Sequence, residues 1–186
     1  MSAADVARRF ADRLDEAGIS YAIGGALALG VWGAPRTTVD VDISVFVEAT
    51  DIAPVLDALE RAGAMVDRSD AARQATRIGL FRARLGRTPV DVYVRAHPHF
   101  DEMRARRRPV PDPDGTTRWF VSAADLAVLK LFYGRDKDLI DLERLFSVRR
   151  DIDVDYVRAW IEKMVTPGDR RLAALDDLVA RFPQRA

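Results

Sequence analysis

Residues 21–47 read YAIGGALALGVWGAPRTTVDVDISVFV. The strict alternation from Thr38 to Val47 predicts a strand over 38–47. Val39, Val41, Ile43, Val45 and Val47 are expected to face a core, with Asp40, Asp42, Ser44 and Phe46 on the opposite face. Asp40 and Asp42 then stand side by side as like charges, a conflict that a proton or a cation relieves. Nothing on a plainly solvated face calls for two aspartates there. Upstream, Ile19 to Ile23 predicts a short strand that Gly24-Gly25 turns into a helix running to about Trp32. Glycine admits a close backbone approach to a ligand, and the free N–H groups of a helix start bind phosphate. A double glycine is common in turns, so its weight comes from the aspartates that follow it.

Outward from this stretch, Val6, Phe10 and Leu14 recur every four residues and predict a helix over 3–17, stopped by Gly18. Asp51 is expected to cap a helix through Arg61, with Val55, Leu56 and Leu59 inward. Residues 74–85 and 89–94 read as a hairpin around Gly86-Arg87. Its second arm sets Val90, Val92 and Val94 inward and Asp91 and Tyr93 outward. Taken alone, Asp91 is equally compatible with an exposed edge position. Together with Asp40 and Asp42 it makes an oxygen-rich set suited to a pair of Mg²⁺ ions roughly 3.5–4 Å apart.

Residues 95–117 hold four of the nine prolines and read as a loop, and everything after Ser122 reads as helix. The expected fold is α+β: a small mixed sheet flanked by helices over 1–117, followed by a helical region over 118–186 packed on it.

Composition narrows the function. The 186 residues contain no cysteine, which excludes disulfides, thiolate metal sites and thiol nucleophiles. Twenty-nine basic and 29 acidic side chains cancel, which argues against indiscriminate coating of nucleic acid. With 48% hydrophobic and 31% charged residues, the chain is neither disordered nor membrane-like in composition. Ala17 to Pro35 is uncharged and as long as a membrane span, yet it carries five glycines and follows Asp12, Asp15 and Glu16. A cytoplasmic chain without membrane contact is the expectation.

A second motif, LAVLKLFYGRDKDLIDL, spans 126–142. Ser122 and Asp125 form a capping arrangement before it. Leu126, Leu129 and Tyr133 are expected on an apolar helix face, with Lys130 beside them. The chain has three lysines against 26 arginines, and two of the three, Lys130 and Lys137, fall in this window. Beyond Gly134, Leu139, Leu142, Leu145 and Phe146 define a second inward face, while Arg135, Asp138 and Asp141 share a flank. Read without the aspartate strand, this is a solvated helix with pairs such as Lys137–Asp141. His97 and His99 read as surface positions beside proline or as a metal pair. Arg104 to Arg108, with Arg82, Arg84 and Arg87, suggest a surface for phosphate backbones. Trp119, Phe120 and Trp160 are expected to anchor the core.

These residues resemble the nucleotidyltransferase superfamily related to DNA polymerase beta. Its signature is Gly-Gly at a helix start, an Asp-x-Asp strand and a later acidic strand, matched by Gly24-Gly25, Asp40-Val41-Asp42 and Asp91. The run from Arg36 to Asp42 and the 126–142 motif look like the AbiE-type and MenT-type toxin branch, and the resemblance covers roughly 21–145. It implies transfer of a nucleoside monophosphate from a triphosphate, with Asp40, Asp42 and Asp91 holding Mg²⁺. Lys130 and Asp138 join the catalytic set in this reading. Gly24, Gly25, Arg36, Thr38, Lys130, Arg135, Lys137 and Asp141 would bind the nucleotide. The implied acceptor is RNA, at the 3′ end of tRNA, and the implied role is a toxin with a cognate antitoxin protein. The same core elsewhere modifies aminoglycosides or partner proteins, and a silent nucleotide-binding or antitoxin-like module is the non-enzymatic alternative.

Overall fold

The computed structural model describes residues 1–185. The chain divides into two compact units, one of Met1–Leu27 with Thr37–Val121, the other of Ala28–Arg36 with the chain from Ser122 onward.

The first unit is built on a six-stranded mixed sheet. Its strands are β1 (Tyr21–Ile23), β2 (Val41–Glu48), β3 (Leu80–Leu85), β4 (Thr88–Arg95), β5 (Arg108–Pro111) and β6 (Thr117–Phe120), in the order β3-β4-β2-β1-β6-β5. β2 runs parallel to β4 and β1 parallel to β6, while the other neighbours are antiparallel. Helices α1 (Ala3–Glu16) and α3 (Ala53–Arg61) pack together over one core. Val6, Phe10 and Leu14 of α1 are fully buried there, each side chain contributing roughly 1.5–3 kcal/mol. Ser2 and Asp5 close a reciprocal capping box that fixes where α1 begins. Val41, Ile43, Val45, Val90, Val92 and Val94 line the same core, as the alternation requires.

Four expectations are corrected in this unit. β2 starts at Val41 and not at Thr38: the Thr38 hydroxyl donates to the Asp40 carboxylate, a local bond that competes with ladder pairing. Val39 is accordingly 76% exposed instead of inward. Asp51 caps nothing: α3 opens at Ile52 with Pro54 in its first turn and no side-chain cap. Residues 74–78 belong to a helix, α4 (Arg68–Ile78), capped by Asp67, whose side chain accepts from the Asp70 N–H at 2.9 Å.

The fourth correction concerns 95–117, which is ordered. It forms α5 (His99–Arg106) and the β5–β6 hairpin. Pro109 and Pro111 lie on β5, an edge strand, where missing N–H donors cost least. His99 is buried in α5 beside Met103, so the surface reading fails for it. Arg118 on β6 is almost fully buried and joins α1 to the hairpin, reaching Asp12 at 2.7 Å and Asp112 at 3.3 Å.

The second unit is helical. After the short α2 (Gly25–Val31), whose C-terminal half belongs here, come α6 (Ala123–Tyr133), α7 (Asp136–Val148), α8 (Val154–Met164) and α9 (Arg170–Arg181). Ser122 caps α6 by accepting from the Asp125 N–H at 3.1 Å, as its spacing suggests. The Asp125 carboxylate is buried and also takes the Tyr156 hydroxyl of α8. The inward face of α7 is Leu142, Leu145 and Phe146 together with Asp138 and Asp141. Leu139 and Tyr133 are 40% and 42% exposed, against the expectation that both pack inward. Among the described residues no helix is long and apolar enough to cross a membrane.

Candidate active site

In the first unit the register of four chain segments sets one row of side chains. β1 pairs Ile23 with Ile43, and the Gly24 N–H extends that ladder to the Asp42 carbonyl at 2.9 Å. Asp42 is in register with Asp91 on β4, and Asp91 with Arg82 on β3. The row therefore reads Gly24, Asp42, Asp91, Arg82, with the two carboxylates on one face of strands about 4.8 Å apart.

Each member is held. The Tyr93 hydroxyl lies 3.3 Å from Asp42 Oδ1, and Arg82 Nε donates to Asp91 Oδ1 at 2.8 Å. Gly25 opens α2 with φ 55, and a Cβ built on it would fall 1.8 Å from Asp42 Oδ2. The Asp42 carboxylate thus occupies space that only glycine leaves clear. Asp40 lies just before β2, and its Oδ1 accepts the Thr38 hydroxyl.

These groups offer oxygen donors only, the hard set that Mg²⁺ prefers. Among the described residues no three acidic or histidine side chains gather as a complete cation cage. A pair of adjacent carboxylates nevertheless fits a Mg²⁺ ion, which is commonly held by one or two carboxylates with substrate phosphates completing its shell.

The second unit assembles a different group. Lys130 Nζ stands 2.6 Å from Asp141 Oδ2 and 3.5 Å from Asp138 Oδ1. Arg36 grips Asp141 with two bonds, at 2.8 and 3.1 Å, and Arg135 Nε reaches Asp138 at 2.6 Å. Lys130, Asp138 and Asp141 are only 5%, 2% and 1% exposed. The solvated-helix reading of this motif therefore fails: Asp141 pairs with Lys130 and Arg36 in the interior. Lys137 remains at the surface of α7.

Burial pushes the Asp141 carboxyl up, but hydrogen bonds and charge from Arg36 and Lys130 outweigh it and hold the acid below its ordinary 3.8. The sign follows from linkage: the folded state binds a proton less readily than the unfolded chain. Asp141 contributes its full stability above pH 3.8 and loses it as pH falls through the lower folded value. Urea titrations between pH 5 and pH 3 should show the wild type losing stability that Asp141→Asn does not lose.

Sequence reasoning marked Asp40, Asp42, Asp91, Gly24, Gly25, Lys130, Asp138 and Asp141 but missed the Arg82–Asp91 pair. A two-residue turn at Gly86-Arg87 sets Leu85 opposite Thr88, and counting back along both arms sets Arg82 opposite Asp91. That register was the available signal.

Residues 6–182 match the family described as nucleotidyltransferase of unknown function, DUF6036. The chain belongs to this family. Solved structures similar to this DUF6036 nucleotidyltransferase include an antigenic nucleotidyltransferase-like protein from Paracoccidioides brasiliensis. It is 19% identical, with 94% of this chain and 92% of that one covered and a TM-score of 0.52. The antibiotic-resistance factor ANT(2″)-Ia in solution is 14% identical, with 97% and 100% covered and a TM-score of 0.59. At these identities the likeness establishes the fold. No curated protein matches the chain by sequence.

For the DUF6036 nucleotidyltransferase, Gly25→Ala is expected to displace the Asp42 carboxylate. It also forces a left-handed residue at a cost of about 1 kcal/mol. Transfer activity should fall at least tenfold while the thermal midpoint moves only a few degrees, read by labelled-nucleotide assay and circular dichroism.

Proposed function

We propose that this protein moves a nucleoside monophosphate from a nucleoside triphosphate to a hydroxyl group of RNA, using Mg²⁺ at Asp42 and Asp91, with Asp40, which stands just before β2, outside that pair. The observation carrying this reading is the row Gly24–Asp42–Asp91, with Gly25 cleared of a Cβ beside the Asp42 carboxylate. Gly25, which opens α2, presents its backbone N–H at the helix start, suited to a phosphate of the triphosphate, while the Gly24 N–H is held by the Asp42 carbonyl. The acceptor oxygen attacks the α-phosphorus, the bond to the bridging oxygen breaks, and pyrophosphate leaves. Asp91 accepts the hydroxyl proton. Bound Mg²⁺ neutralises triphosphate charge and lowers the pKa of the attacking hydroxyl.

Exposed arginines support a polyanionic acceptor: Arg84 and Arg87 on the β3–β4 hairpin, Arg104 and Arg108 around α5. A polycation would be repelled there. The resemblance to AbiE-type and MenT-type toxins extends the proposal to the tRNA 3′ end and to control by an antitoxin protein. The test incubates the enzyme with each labelled triphosphate and total RNA, tobramycin or purified partner-sized proteins. Label on RNA supports the proposal, and label confined to tobramycin or protein rejects it. Induced expression should also arrest growth, and a variant inactive in the assay should not.

A further inference from the structure

The Asp42–Asp91–Arg82 row sets a positive charge beside its two carboxylates, a feature that the transfer reaction does not by itself require. Two carboxylates stand in register, and a guanidinium stands in register on the far side of Asp91. Arg82 Nε already occupies Asp91 Oδ1 at 2.8 Å. The Arg82 side chain is 72% exposed while Asp91 is only 23% exposed. Arg82 is therefore anchored by its charge and not by packing, and it can swing into water without opening a cavity.

Resting on the proposed cation pair Asp42–Asp91, we infer that Arg82 is a displaceable counter-ion. It neutralises Asp91 in the nucleotide-free enzyme and must leave Oδ1 before a divalent cation binds there. Its effect runs through Asp91, so it is a positioning residue. Two adjacent carboxylates repel unless a positive charge stands near, and Arg82 supplies that charge while no substrate is bound. The same contact lowers affinity for a lone cation, because the ion competes with a formed charge-assisted bond. A cation arriving on a triphosphate escapes much of this penalty, since phosphate oxygens offer the released guanidinium a new partner. The device biases the site toward the metal–nucleotide complex over the free ion.

The probe is Mn²⁺ alone, with free ion counted by electron paramagnetic resonance in titrations of the full chain. Arg82→Gln should bind Mn²⁺ about three- to fivefold more tightly than wild type, the upper part of the range an exposed ion pair commands. Arg82→Lys keeps the charge and should stay near wild type, while Asp91→Asn should bind more weakly. Circular dichroism melts establish that each variant is folded. If Arg82→Gln binds equally or more weakly while Asp91→Asn still loses affinity, the counter-ion idea is overturned and the cation pair stands. If Asp91→Asn binds like wild type, Asp91 holds no cation, and both ideas fall together.

Discussion

Asp42→Asn is expected to abolish nucleotide transfer and to leave the protein folded. Asparagine matches aspartate in shape, so the β2 ladder and the contact with Gly25 survive the exchange. What disappears is one negative charge at the centre of the row, where the proposed cation and triphosphate would meet. Groups that stabilise developing charge commonly contribute about 10²–10³ in rate, and loss of the proposed cation ligand belongs at or beyond the upper end. A drop of at least ~10³-fold in labelled-nucleotide transfer is expected, with an unchanged circular dichroism spectrum. Full activity in a folded Asp42→Asn variant removes Asp42 from the reaction.

Lys130→Ala is the second large effect, and it strikes stability first. The ammonium sits between two carboxylates that are themselves buried. Removing one partner of a buried ion pair costs about 3–5 kcal/mol, because the remaining charge keeps its desolvation penalty without its compensation. Arg36 and Arg135 still reach Asp141 and Asp138, which places the expected loss near the lower end of that range. For a chain of this size the thermal midpoint should fall by about 6–12 °C. Adding Asp138→Asn to Lys130→Ala should recover part of the loss, since one of the two buried negative charges that shared the ammonium is gone. A melt unchanged by Lys130→Ala removes the buried pair as a source of stability. Nucleotide affinity at a temperature where the variant is folded tests the expected triphosphate role separately: unaltered binding limits Lys130 to structure.

How much of this could be read beforehand follows the strength of each local signal. β2 and β4 were legible because Val41, Ile43, Val45, Val90, Val92 and Val94 alternate without interruption. α1 was legible for the same reason at period four. α4 was not, because its only buried residues are Ala71 and Ala75, whose apolar area is too small to mark a face. β5 hid behind two prolines that an edge strand tolerates. Within the site, Asp42 and Gly25 were legible as residue types, whereas their contact depends on the left-handed turn at Gly25. The burial of Asp138 and Asp141 was invisible to a pattern reading that assigns charge to solvent; only the scarcity of lysine hinted at it.

The strand order has a consequence for biosynthesis. β1 emerges among the first two dozen residues, yet its parallel neighbour β6 is made nearly a hundred residues later. Until Thr117–Phe120 leaves the ribosome, one side of β1 presents unpaired backbone groups to other chains. A nascent chain stalled before that point carries an open sheet edge and is an aggregation hazard, so folding of the first unit is gated by the arrival of its last strand.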